Sequence, residues 1–573
     1  MLSLRISFAI LACACAVLWI LTPSASADPG TTKKARDFID AYTRKVRPLE
    51  TAANYAWWDA MMTGDEKAFK KKEDAQNKLD ALLADKAQVA ELRAIKKGKI
   101  DDPITKRAID VIYLILLEKQ LDVDLMKAMN KQSNEIEKIF TTFRAKVPDE
   151  KGGFQTLDDN EVRKILKTST LSERRQETWE AAKKLGAEVE PGLKKLVALR
   201  NQAAKKLGFA NYHAMLLHLR EQNGNDLIKL FDDLDDMTRE PFKKAKAEID
   251  VELAKACNVK VSELMPWHYH DQFFQEVPAV FKADLDKVYK DQDIIALSRE
   301  FYRGIDLPIE LVIEKTGNDF KPRKGKNQHA FSTDITRDGK DVRVLANVVP
   351  NEQWMSTMLH EFGHSVYTSI NIPEKLPYVL RTESHILTTE GVAMMFEKMS
   401  KRRLWLEKMG VKVDDPRAFD ETGAKMLRYQ LLVFSRWCQV MLRFEKGMYE
   451  NPEQDLNKLW WDTVEKYQML KRPPGRNAPD YGAKYHIVGA PVYYHNYMMG
   501  ELFASQVHHT IARKVYKGAE PSTVVYVGNK EVGAFMRQYV FEPGGTMPWN
   551  ELTRHATGAE LNPEAFAKDF GGK

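Results

Sequence analysis

The segment His360-Glu361-Phe362-Gly363-His364 limits this chain more than any other stretch. Asn351 and Glu352 open a helix that runs through it, and on a helix residues four apart share one side, about 6 Å from each other. Two imidazole nitrogens so placed can bind one Zn²⁺ at about 2.1 Å each. Glu361, one residue on, cannot reach the same ligand position, but it can meet the attacking water as a general base. The motif predicts a helix, one zinc ion and hydrolytic chemistry together.

Zinc in a catalytic site needs a third protein ligand and an open fourth position. The extended metzincin pattern would place Gly at 367 and His at 370, where this chain has Tyr367 and Ile370. A downstream carboxylate is the alternative. Glu390 lies in the helical stretch Leu387-Thr388-Thr389-Glu390-Gly391-Val392-Ala393-Met394, and a carboxylate inside an apolar stripe is costly to bury without a partner such as a metal ion. Glu383 is the competing candidate.

Most of the remaining sequence reads as helix after helix. Ile39, Tyr42, Val46, Leu49 and Ala53 step by three and four along one face, and a second helix runs through Ile109 to Leu121. Thr170 with Glu173 reads as a capping box for a helix stopping at Gly186; Pro191 then starts another that ends at Gly208. One β signal interrupts them. Val342, Val344, Ala346 and Val348 alternate, and Asp338-Gly339 turns the chain back onto 329–335. A strand beside the metal helix can hold an extended peptide by main-chain hydrogen bonds. With 573 residues, 44% of them hydrophobic, the chain can bury a large core. No fixed repeat or low-complexity linker divides residues 28–573, so one domain is expected.

The net charge of +6 is spread too thinly over this length to indicate a nucleic-acid partner. Arg5, the apolar run Ile6 to Leu21 and Ala25-Ser26-Ala27 read as a cleavable signal peptide over residues 1–27. A secreted or periplasmic protein without a stable membrane anchor is expected. Only Cys257 and Cys438 then remain, which excludes a disulfide scaffold. His268 and His270 lack a carboxylate or Cys partner at ligand spacing and are not read as a second metal site, and the basic loop Lys321, Arg323, Lys324, Lys326 is read as solvated.

Several blocks resemble the angiotensin-converting enzyme family, peptidase family M2. They are Leu376-Pro377-Tyr378-Val379-Leu380-Arg381 followed by Glu390-Gly391, then Trp460-Trp461, Lys466-Tyr467-Gln468 and Gly482-Ala483-Lys484-Tyr485-His486-Ile487. Upstream, Gln328-His329-Ala330-Phe331-Ser332 resembles the strand before the family's zinc helix, and Trp57-Trp58 with the N-terminal helices is broadly similar. Arg200-Asn201 to Leu207-Gly208 with Asn211-Tyr212 also resembles the related thimet-oligopeptidase family M3.

The M2 resemblance implies a mainly α zincin (gluzincin) ellipsoid with a deep central cleft, a small β hairpin beside the zinc helix, and a lid of N-terminal helices over about 28–145. It makes His360, His364 and Glu390 the zinc ligands and Glu361 the base. His329 and Ala330 would hold the substrate backbone, His486 and Tyr497 would donate to the oxyanion, and Lys484 and Tyr494 would grip a terminal carboxylate. The tyrosine assignments assume a one-residue insertion in Val492-Tyr493-Tyr494-His495-Asn496-Tyr497; without it Tyr493 takes the place of Tyr494. The family's third carboxylate-binding residue, a Gln, has only Gln292 as a candidate. A carboxylate four residues after the ligand Glu, which orients a zinc histidine, is replaced by Met394, so His360 needs another acceptor. The family's two chloride-binding arginines match Val464 and Asn496, so chloride is not expected. The implied function is a secreted zinc peptidyl-dipeptidase acting on oligopeptides. An M3-like endo-oligopeptidase is the nearest alternative, and a non-catalytic peptide-binding protein the alternative of another class; the intact Glu361 argues against the last.

Overall fold

Asp or Asn side chains begin many of the helices. Asp102, Asn223, Asn351 and Asp415 each accept a hydrogen bond from a backbone N–H of the first turn, satisfying donors that have no partner within the helix. The computed structural model describes residues 29–149, 152–278, 285–323, 325–327 and 329–571. The expected signal peptide at 1–27 lies outside them. The main elements are α1 (Pro29–Thr63), α2 (Pro103–Glu118), the strands β1 (Ala145–Pro148) and β2 (Phe154–Leu157), α3 (Ser172–Lys206), α4 (Gly224–Cys257), β3 (Phe331–Asp334), β4 (Val342–Leu345), α5 (Glu352–Ser365), α6 (Ile386–Glu397), α7 (Pro416–Glu450) and α8 (His495–Lys514). Shorter helices join them. The fold is mainly α, and among the described residues the sheets are two antiparallel pairs, β1 with β2 and β3 with β4.

Two apolar clusters organise the helices. The larger one gathers residues from Ile136 to Phe570 around α3, α5, α6, α7 and α8. The smaller one joins Ala35, Tyr42 and Val46 of α1 to Leu79, Leu92 and Ile112 of the next helices, and it closes on Val379 and Leu380. The helix Val123–Thr142 belongs with the larger cluster through Ile136. The far end of α1 docks on the hairpin: Trp58 packs with Ile335 and Leu345, Asn54 donates to the Ile335 carbonyl at 3.0 Å, and the Tyr55 hydroxyl donates to Asp341 at 2.7 Å.

Three sequence expectations change. α3 is one helix through both Gly186 and Pro191. Val189, Leu193, Leu196 and Val197 are all buried along it, and burial of that face outweighs the roughly 3 kcal/mol that a helical proline costs. Gly186 is a point of close approach: a Cβ there would lie 2.1 Å from the Pro479 carbonyl oxygen. Leu171 precedes the first turn of α3 without a side-chain cap, so Thr170 and Glu173 form no capping box. Lys326 is buried, its ammonium donating to the carbonyls of Asp319 and Lys321 at 3.0 and 2.7 Å and facing the Asp319 carboxylate at 3.2 Å; Lys324 lies outside the described residues. Cys257 and Cys438 are both free and buried. No helix among the described residues is long and apolar enough to cross a membrane.

Candidate active site

Glycines at two crossings bring the site's helices together. A Cβ on Gly363 of α5 would lie 2.9 Å from Ala393 Cα of α6, and one on Gly391 of α6 would lie 2.7 Å from the Gly500 carbonyl oxygen of α8. Glycine at both points allows backbones to approach more closely than any side chain would. Glu390 therefore faces the histidines of α5. His360 Nε2 and His364 Nε2 are 3.1 Å apart, and His360 Nε2 is 3.6 Å from a Glu390 oxygen. One ligand atom from each of the three residues lies within 4.8 Å of the others. Tetrahedral ligands at zinc bond lengths stand about 3.4 Å from one another, so this donor set fits a zinc ion.

The outer ring nitrogens are engaged as metal-binding imidazoles require. His360 Nδ1–H donates to Glu397 at 2.6 Å, and His364 Nδ1–H donates to Thr389 Oγ1 at 2.7 Å. Glu397 is the acceptor that Met394 could not be. It lies on α6 seven residues after Glu390, two helical turns along the same face, and that spacing is the signal by which it could have been found. Burial pulls the His360 pKa down, but the hydrogen bond to Glu397 and the charges of Glu397, Glu361 and Glu390 outweigh it and lift it to about 10. Burial pushes Glu361 up to about 7; His360 opposes this, and Glu390 and Glu397 add to it. Three carboxylates around two imidazoles make a region that attracts a cation.

β3 lies against the same helix. Ser332 Oγ and Ser365 Oγ are 2.8 Å apart, Ser365 donates to the Glu361 carbonyl, and the Ser332 backbone N–H reaches the Glu361 carboxyl. His329 and Ala330 lead into β3; His329 is exposed and its N–H donates to Asn327 Oδ1 at 2.9 Å.

His486, Tyr494 and Tyr497 form an aromatic run. The His486 and Tyr494 rings are 5.0 Å apart, and Tyr497 packs 5.3 Å from both Tyr493 and Tyr494. Burial and the nearby Glu390 raise Tyr497 to about 12. Burial, with Lys484 adding, lowers His486 to about 4, so its ring is neutral at pH 7, and its buried Nδ1 has no hydrogen-bond partner among the described residues.

Lys484 is buried against Phe273, Trp437 and Tyr494, with its ammonium over each ring at 5.4, 5.2 and 5.3 Å. It donates to Gln275 Oε1 at 2.6 Å. Gln275, which no motif marks, thus stands beside Lys484, whereas the backbone N–H of Gln292 donates to the Tyr289 carbonyl in the turn before the helix Ile294–Gly304. Burial lowers Lys484 to about 8, against the pull of Asp271. A cavity of about 670 Å³ is lined by Lys484, His486, Gln275, Asp271 and Arg163. Val464 is buried in the core, and Asn496 accepts from Gln222 at 2.8 Å and donates to the Tyr493 carbonyl. His268, off this site, meets Ser172 Oγ at 2.9 Å through Nε2.

The family model for peptidase family M3 matches residues 165–572. The chain belongs to peptidase family M3. The match takes in the zinc-motif helices and the Lys484 segment, while the model described as angiotensin-converting enzyme matches residues 29–241. Among curated proteins, the chain is 22% identical to the angiotensin-converting enzyme of Sus scrofa over 92% of its own length and 42% of that protein's. It is also 22% identical to the Mesocricetus auratus enzyme over 83% of this chain and 38% of the relative. A Theromyzon tessulatum angiotensin-converting enzyme matches at 21% over 40% of this chain. The chain thus spans about two-fifths of the curated relatives it matches, and it combines M3 likeness over residues 165–572 with angiotensin-converting enzyme likeness along most of its length.

Proposed function

We propose that this chain is a zinc-dependent peptidyl-dipeptidase that removes dipeptides from the free C-terminus of oligopeptides. The observation that carries the reading is the buried ammonium of Lys484, beside Gln275 and over Tyr494, whose ring packs on His486 and on Tyr497, the tyrosine that feels the charge of Glu390. His360, His364 and Glu390 would hold the zinc, which supplies a Lewis acid when bound. Glu361, raised to about 7, takes the proton of the attacking water and passes it to the departing amine. Neutral His486 and the Tyr497 hydroxyl donate to the developing oxyanion. The strand that begins at His329 and Ala330 holds the substrate backbone, Lys484 and Tyr494 hold its terminal carboxylate, and the helices before residue 145 serve as a lid. The composition of residues 5–27 supports export.

The M3 match over residues 165–572 favours a second reading, an endo-oligopeptidase that needs no free C-terminus. Mass spectrometry of the products from a decapeptide, as free acid and as amide, separates the two. Sequential dipeptides from the free acid and slow cleavage of the amide support the first; equal rates with internal cuts support the second.

A further inference from the structure

A second cavity, of about 830 Å³, is bounded by α6 and α8, and none of the three zinc-ligand candidates lines it. Met395 of α6, Lys398 in the turn directly after it, Ala504 and Ser505 of α8 and the start of α7 enclose it, together with residues 520–525 and 568–570. None of the proposed catalytic or metal residues lines it, and Lys398, which does, is paired with Glu501.

Its chemistry is specific in two respects. Basic side chains outnumber acidic ones in the wall, seven to four, and among the described residues Arg402, Arg428 and Lys568 form no ion pair with a carboxylate, whereas the other four bases do. Arg402 donates to the Val524 carbonyl at 2.6 Å, and Arg428 donates to the carbonyls of Phe570 and Gly571 at 3.0 and 3.2 Å. The acid nearest to Arg402, Asp569, is engaged by His509 at 2.6 Å. Other wall pairs are neutralised, Arg403 with Asp420 and Lys425 with Glu248. Both guanidiniums bond only to carbonyls, while Asp569 acts on Arg402 and Glu248 on Arg428 from further off; in a partly dry site an anion bonding to them gains more than it would in water. Secondly, Ser505 lines the wall, and its buried hydroxyl has no hydrogen-bond partner among the described residues, a polar group that a ligand reaching it would satisfy. Met395, Met399, Leu404, Leu427 and Phe570 supply apolar surface between these polar points. The volume falls in the range of small-molecule sites.

We propose that this cavity is a binding site, separate from the zinc site, for a small organic anion with an apolar body: its carboxylate or sulfonate lies toward Arg402 and Arg428, and its apolar part lies along the methionines and Phe570. The site stands whether or not the peptidase reading is correct, because it uses none of those residues.

The test titrates the zinc-loaded full chain with 8-anilinonaphthalene-1-sulfonate, followed by fluorescence, beside the uncharged N-phenyl-1-naphthylamine. One saturable site is expected, with the neutral dye weaker by about tenfold or more. Ser505→Phe, which fills the cavity, should abolish binding of both dyes while kcat/KM on the decapeptide stays unchanged. Should that variant fail to fold, Arg428→Met supplies the same decision: it should weaken the anionic dye about tenfold and leave the neutral dye unaffected. No saturable site, equal binding of the two dyes, or binding that a substrate peptide displaces and neither substitution alters, would overturn the proposal.

Discussion

The zinc-ligand end and the Lys484 end of the proposed machinery bury charge of opposite sign. At one end Glu361, Glu390 and Glu397 surround two imidazoles, and burial raises Glu361 to about 7. At the other, burial lowers Lys484 to about 8 and Lys183 to about 7, with the buried Asp271 nearby. Each shift marks a charged form that lacks its full solvation. The first end attracts a cation and the second an anion, which suits a reaction that needs a metal at the scissile bond and a carboxylate further along. The ends also differ in construction. The negative end sits on two helices with glycine crossings, whereas the positive end is assembled from residues 271–275, 437, 484 and 494, far apart in the chain.

The largest test of this contrast is Glu361→Gln. If Glu361 is a base and not a ligand, turnover should fall about a thousandfold or more, with metal content by elemental analysis still near one per chain. Loss of the metal along with turnover would break the division between ligand and base. Next comes Glu397→Ala, which removes the acceptor of His360 and should weaken zinc binding about 10–100-fold in chelator competition. An unchanged affinity would mean that α6 holds His360 without it.

At the positive end, Lys484→Met should raise KM for free-acid peptides some thirtyfold, about 2 kcal/mol, and leave amidated peptides unaffected. The wild-type protein should show the same difference with pH. The ammonium is present below its pKa and lost above it, so kcat/KM on free-acid peptides should fall as pH rises through about 8 while the amide's does not. Parallel profiles would place the substrate carboxylate elsewhere. The smallest effect is expected from chloride. Val464 lies in the core and Asn496 is held by Gln222 and Tyr493, so exchanging chloride for acetate at constant ionic strength should leave kcat/KM unchanged. A rise of about tenfold with chloride would require a guanidinium site elsewhere.

The contrast in construction also explains what could be read in advance. His360, Glu361 and His364 were legible because helix geometry converts a spacing of four into one face, and Glu390 because a carboxylate in an apolar stripe demands a partner. The helical class and the hairpin before α5 followed from periodicity and one Asp-Gly turn. Glu397 obeys the same helical rule, because positions four and seven residues after Glu390 share its face and spacing alone does not choose between them. Gly186 and Pro191 misled because local propensity weighs a few kcal/mol at most, and the buried face of α3 outweighs it. Lys326 was read as solvated because sequence shows a charge and not the three carbonyls that close around it. Gln275 could not be found at all. It meets Lys484 across 209 positions of chain, and no local rule reports a contact that exists only when distant segments pack. By itself the sequence determined which residues are chemically able to hold zinc and move a proton. The tertiary structure decided which charges face one another, because desolvation and partner choice depend on what the rest of the fold brings near.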